Sequence, residues 1–160
     1  MTATFVTTDQ KKHLAAALRL TNSAGFMHDA ISIAVYRPGG EGDPDQMVTV
    51  AVFECFRGGQ AELHLGMASG RVLTREIIQG IMTVAFHPKL LNLDRVLTRT
   101  PDRLPNAIST LLKIGFQIEF RHRNCLADGG DAIVSSLDRS KVQNMASAEP
   151  QQFETAQMGE

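Results

Sequence analysis

Residues 61–99 constrain the fold more than any other part of the chain. AELHLGM, Ala61 to Met67, alternates with the period of a strand; TREIIQGIMTVAFHP, from Thr74, repeats with the period of a helix; LDRVLTR, Leu93 to Arg99, alternates again. Two strands joined through a helix cannot pair as a hairpin, so the connection implies a right-handed crossover and a parallel pair. In the helix, Thr74 is placed to cap the N-terminus. Ile77, Ile78, Ile81, Met82 and Ala85 recur on one face, and Pro88 stops the run.

The segments around this unit read as a helix and hairpins. Asp9 to Asn22 carries Leu14, Leu18 and Thr21 at helical spacing behind the capping candidates Thr7, Thr8 and Asp9, with Gly25 just beyond its end. Ile31 to Tyr36 alternates, and the turn-rich Pro38 to Gln46 sends Met47 to Phe56 back antiparallel as a strand apolar on both faces, hence central. Arg57-Gly58-Gly59-Gln60 is a tight hairpin turn. Beyond Arg99, Pro105 opens a helix with Ile108, Leu111 and Leu112 apolar and Gly115 at its end, and a hairpin around Ala127 to Gly130 closes the pattern.

The predicted class is α/β (α+β): a mixed, largely antiparallel central sheet of six or seven strands flanked by helices, with one parallel β-α-β pair. A chain of 160 residues is large enough for one core, which is assigned to residues 1–143. Residues 144–160 hold three Glu, no Lys or Arg and no periodicity, and are expected to form a polar, acidic, mobile tail.

A formal charge of −1 points away from nucleic acid, and there is neither a signal-like start nor an apolar run of membrane length. Cys55 and Cys125 lack metal-ligand spacing and the five His residues contain no i, i+4 pair, so no metal is expected. The thiols read as reduced, in a cytoplasm, with Cys55 in the core. Charge is uneven: Arg71 to Cys125 carries nine Lys/Arg against four acids, while Gly39 to Gly66 carries one Arg against five acids. The later segment therefore favours an anionic ligand.

Two pieces of chemistry follow. The loop Met67-Ala68-Ser69-Gly70-Arg71-Val72 runs into the first turn of a helix, where unpaired N–H groups and the positive dipole end suit a phosphate and a Gly permits close approach. On the preceding strand, Glu62 and His64 project opposite to Leu63 and Leu65, and a carboxylate or imidazole there can move protons.

The element order from Ile31 to Arg139, above all Leu111 to Phe116 (LLKIGF) followed by Glu119, Arg121, Arg123 and a closing AIVSSLDR, resembles the GNAT superfamily of acyl-CoA N-acyltransferases. It looks most like the ribosomal-protein N-terminal acetyltransferase branch and small GNAT-like proteins of bacteriophages. The resemblance implies acetyl-CoA as co-substrate in a V-shaped gap where the fourth and fifth strands splay. On this sequence the implied contacts are Leu65, Gly66, Met67, Gly70, Arg71, Val72, Leu73, Thr74, Arg75 and Asn106, with Glu62 as catalytic base, directly or through a water. The family loop has Gln or Arg where Met67 stands and a second small residue where Val72 stands; Arg71 and Arg75 offer compensating charge. A Tyr common in the later helix falls at Leu111, and the chain's one tyrosine is Tyr36.

The function implied is acetyl transfer to a primary amine (a protein N-terminus, a Lys or a small amine) by direct attack on the thioester. The alternative is a catalytically inactive GNAT-fold binding or structural protein, including a virion or host-interaction component. The implied location is the cytoplasm, that of the host or the virion for a phage protein. Expected partners are acetyl-CoA, the amine, a second copy through a sheet edge, and a partner chain docking the tail, with no nucleic acid and no membrane.

Overall fold

A computed structural model of the chain describes residues 3–68, 70–71 and 73–142, and the backbone of 153–154. The elements are β1 (Thr4–Val6), α1 (Gln10–Thr21), β2 (Ile31–Arg37), β3 (Gln46–Arg57), β4 (Gln60–Met67), α2 (Arg75–Phe86), β5 (Arg95–Pro101), α3 (Pro105–Ile114), β6 (Gln117–His122), β7 (Ala132–Asp138), α4 (Arg139–Val142) and β8 (Phe153–Glu154). The strands form one sheet in the order β6-β7-β5-β4-β3-β2-β1-β8.

Within this sheet β4 and β5 run parallel across the α2 crossover, and β8 lies parallel to β1; every other neighbouring pair is antiparallel. The mixed, mostly antiparallel class and the central place of β3 match the sequence pattern. At the turn between β3 and β4, Gly58 and Gly59 have φ of 55° and 81°, values a side chain would disfavour.

Each face of the sheet has its own cover. Phe53 and Leu63, paired across β3 and β4, join Ile33, Val96 and Leu137 against α2 and α3 in the main core. From α2 that core receives Ile77, Ile78, Ile81, Met82 and Ala85, the same five residues its periodicity selects. Fully burying each Ile or Met contributes about 1.5–3 kcal/mol, so this one stripe dominates the helix's stability. On the opposite face Val50 and Val52 of β3 meet Ala17, Leu14 and Leu20 of α1. That helix packs on β2, β3 and β4, while β6 at the far edge of the sheet is exposed along its whole length.

Several expectations change. Strand β1 precedes α1 where no strand was expected, because three residues are too few to show a period. Asp9 takes the cap position of α1 with φ 51° but makes no side-chain capping bond, while the helix closes at Asn22 as its periodicity marks. Cys55 is exposed, not core: its φ of 57° and the register shift between Glu54 and Arg57 turn it out of the β3 pleat. Phe120 and Met27, large apolar residues, are about half exposed, at 52% and 53%. Most of the expected tail lies outside the described residues; Phe153–Glu154 pairs with β1 and so adds a strand at the sheet edge.

Gly80 shows how tightly the α2 face is packed. A Cβ at this position would run into the ring carbons of Phe5, brought there by β1. Helix propensity alone favours Ala over Gly by about 1 kcal/mol. Gly80→Ala is nevertheless expected to destabilise the fold by about 1–3 kcal/mol in urea unfolding, with Phe5→Leu in the same chain recovering part of the loss. An increase in stability would show that the ring moves aside freely.

Candidate functional site

Strands β4 and β5 pair only from Gln60↔Arg95 to Leu63↔Thr98. Beyond Leu63, β4 continues to Met67 bonded to β3 alone, and beyond Thr98, β5 continues to Pro101 bonded to β7 alone. The two strands part between them, leaving backbone groups on the facing edges free to bond a ligand lying in the gap. Two distinct groups of side chains stand in this part of the molecule, one on each face of the sheet.

On the α2 face, Arg37, Val48, Gly70, Arg71, Thr74 and Ile77 line a pocket of about 200 Å³. Thr74 caps α2 by accepting from the Ile77 N–H at 3.3 Å, as its position before the apolar run predicts. The opening N–H groups of a helix have no intrahelical partners and carry partial positive charge, which here faces the pocket floor. Gly70 has φ 73° and open space where a Cβ would stand. Arg71 donates to Gln46 Oε1 at 2.8 Å. Arg37 Nε is buried and has no hydrogen-bond partner, an orphaned donor at the pocket wall. Two guanidinium groups, a helix N-terminus and a bare backbone fit a phosphorylated ligand; Glu76 is the one acid in the first turn of α2.

Among the residues implied to hold acetyl-CoA, the structure brings Gly70, Arg71 and Thr74 to this pocket. Met67 ends β4, Leu73 and Arg75 flank Thr74, and Val72 lies outside the described residues. Leu65 packs against the α2-side core beside the gap. Gly66 is bare for a different reason: a Cβ there would stand 2.7 Å from Leu20 Cβ of α1, so its lack of a side chain admits the helix. Asn106 is exposed in the first turn of α3, beyond the end of β5. Leu111, where a Tyr would stand, is buried at 3% exposure, and Tyr36 is engaged under α1 with His13 Nε2 at 2.9 Å.

The α1 face of the gap is polar. Glu62 and His64 of β4 stand in register with Glu54 and Val52 of β3. His64 Nε2 lies 2.9 Å from Glu54 Oε1 and 3.9 Å from Glu62 Oε1, with side-chain exposures of 27%, 12% and 19% for the three residues. Arg99 of β5 donates from Nε to Glu62 Oε1 at 2.8 Å and from Nη1 to His122 Nδ1 at 2.6 Å. Glu54 Oε2 also accepts from the Met27 N–H at 2.6 Å, which ties the loop before β2 to the cluster, and the Phe26 ring leans on His64 with centroids 5.7 Å apart.

Sequence reasoning found Glu62 and His64 but missed Glu54, Arg99 and Arg37. For Glu54, counting outward from the Gly58-Gly59 turn sets Cys55 across from Glu62, and only the register shift between Glu54 and Arg57 brings Glu54 there. The other two become visible only when the strands are assembled.

Comparison with known proteins comes out unevenly. No protein-family model matches the chain, and no curated protein matches it by sequence. Solved structures do match. The spermidine/spermine N-acetyltransferase SpeG from Vibrio cholerae, in complex with manganese ions, superimposes with a TM-score of 0.73 at 14% identity over 91% of this chain and 97% of that one. A chimera of the Vibrio cholerae enzyme with hSSAT gives 0.70 at 14% identity over 88% and 98%. The fold is GNAT-like. Among the described residues no group of three or more His, Cys, Asp or Glu is arranged to hold a metal, and no helix is long and apolar enough to cross a membrane.

Cys55 reports on the acidic side of this site. Desolvation, followed by the negative charge of Glu54, Glu62 and Asp29, pushes its thiol above the ordinary cysteine range. In a Cys125→Ser background, alkylation of Cys55 should therefore titrate at higher pH than a free thiol, and Glu54→Gln should move the curve down. A curve unchanged by Glu54→Gln would place the carboxylate out of electrostatic reach.

Proposed function

We propose that the chain is an acetyl-CoA-dependent N-acetyltransferase acting on a small primary amine. The observation that carries this reading is the parting of β4 and β5 with an anion-binding pocket on one side and an acid–base cluster on the other. A long ligand with a phosphate head and a reactive thioester tail, threaded through the gap, meets complementary chemistry at both ends. Met67 and His64 are three residues apart, about 10 Å along the strand, so the ends are well separated. The likeness to spermidine N-acetyltransferases, in fold, supports a small amine over a protein N-terminus as acceptor.

In this reading Arg37, Arg71 and the first turn of α2 hold the pyrophosphate, with Gly70 letting the backbone come close. The acidic surface formed by Glu54 and Glu62 draws an ammonium to the other mouth of the gap. Glu62 and His64 supply the groups that accept its proton, after which the neutral amine attacks the thioester carbonyl directly. Holding both reactants in the gap supplies much of the rate. With Leu111 buried, no α3 hydroxyl stands at the implied acid position, so the departing thiolate is protonated from water.

A second reading, a GNAT-fold protein that binds without transferring, is favoured by that same buried Leu111. Acetyl-CoA binding and turnover separate the two. At 100 times its dissociation constant the ligand should stabilise the fold by about 2.7 kcal/mol in a thermal shift, and Arg71→Glu should abolish the shift. Replacing both candidate proton acceptors, Glu62→Gln with His64→Gln, should lower turnover much more than it alters acetyl-CoA affinity. A shift without acetylation of any amine would favour the second reading; the absence of a shift at millimolar ligand would contradict both uses of the pocket.

A further inference from the structure

We infer that His64, and not Glu62, is the group that takes the amine's proton, with Glu54 as its positioning residue; the inference rests on the acetyl-transfer reading above. Three observations converge on it. The β4–β5 ladder ends at Leu63↔Thr98, so Glu62 lies within the paired segment, whereas His64 is the first β4 residue beyond it on the α1 face. Glu62 is already committed, since its Oε1 accepts from Arg99 Nε at 2.8 Å. His64 has the complementary arrangement. Its Nε2 is buried 2.9 Å from Glu54 Oε1, within ion-pair distance though not aligned as a hydrogen bond, which leaves Nδ1 as the nitrogen to meet the amine.

The groups around the ring fit this role. Glu54 comes from β3 and is itself fixed by the Met27 N–H. Glu62 lies on the same strand, with Arg99 from β5 behind it and His122 from β6 behind that. The loop before β2 contributes the Phe26 ring against His64 and Asp29, whose charge reaches neighbouring Cys55 together with those of Glu54 and Glu62. From α1 the nearby packing against β3 and β4 is apolar, through Ala17 and Leu20. A positive charge formed on the imidazole thus meets carboxylates; Arg99 is paired with Glu62, and Arg57, whose charge also reaches Cys55, stands at the end of β3.

The step balances without a further reactant. The ammonium gives one proton to His64 Nδ1, creating an imidazolium that pairs with Glu54. The freed nitrogen lone pair forms the N–C bond at the thioester carbonyl. The adduct collapses with cleavage of the C–S bond, its remaining ammonium proton passes through water to the thiolate, and the imidazolium releases its proton to solvent.

Steady-state kinetics of the full chain with acetyl-CoA, using spermidine and n-butylamine as probe amines, test the assignment across the imidazole titration range. The wild type should show kcat rising with pH along one acidic limb. His64→Gln should lower kcat by about 10²-fold or more and erase the limb. Glu54→Gln should lower kcat and loosen the imidazole tautomer without altering acetyl-CoA affinity, and Glu62→Gln should keep the limb while raising the KM for the amine. A limb that survives in His64→Gln, or disappears only in Glu62→Gln, overturns the inference while leaving acetyl transfer intact. If the wild type acetylates neither amine, the transfer reading itself fails, before any variant is made. Nitrogen NMR of the wild-type imidazole gives a check independent of variant folding: the neutral ring should carry its proton on Nε2, with Nδ1 bare, and the opposite tautomer would overturn the assignment.

Discussion

The hydrogen-bond ladder between β4 and β5, and the point at which it stops, is the constraint on which the rest of the site depends. Four residue pairs hold the strands parallel, from Gln60↔Arg95 to Leu63↔Thr98, and then each strand follows its other neighbour. Parallel pairing makes α2 the obligatory crossover, and the crossover places the N-terminus of α2 at the open end of β4. The helix N-terminus and the open sheet edge are therefore products of one topological choice.

The core protects that choice. On one side α2 delivers five large apolar side chains against Phe53 and Leu63; on the other, α1 comes so close to β4 that Gly66 is needed where Leu20 passes. The α2 contacts fix the paired half of the two strands, and α1 holds β4 from the other side beyond the point where the pairing ends. Charge is sorted across the sheet in the same way, with Arg37 and Arg71 on the α2 side and Glu54 and Glu62 on the α1 side. An anionic head and a cationic acceptor would thus approach from different faces and meet at the gap.

Much of this was legible in the sequence where one local rule governs. Thr74 reads as a cap because a hydroxyl precedes an apolar helical stripe, the Gly58-Gly59 turn reads as a hairpin because both residues need positive φ, and Gly115 ends α3 with φ 118° for the same reason. What escaped depended on assembly. Nothing local announces that Arg99 will reach across to Glu62, that Arg37 will close a pocket built by the α2 N-terminus, or that Cys55 will leave its strand through a bulge. Gly66 was read as a ligand contact, but its structure-visible role is to admit α1. Strand β1 was too short to show any period, although its Phe5 decides why Gly80 bears no side chain.

Amide hydrogen exchange of the full chain with and without acetyl-CoA tests most directly whether the parted strands are the ligand's seat. The account predicts slowed exchange confined to residues 64–75 and 99–101, the free edges of β4 and β5 and the turn into α2, with β2 and α1 unchanged. Protection that is absent at saturating acetyl-CoA, or that appears on the exposed β6 edge instead, would contradict it.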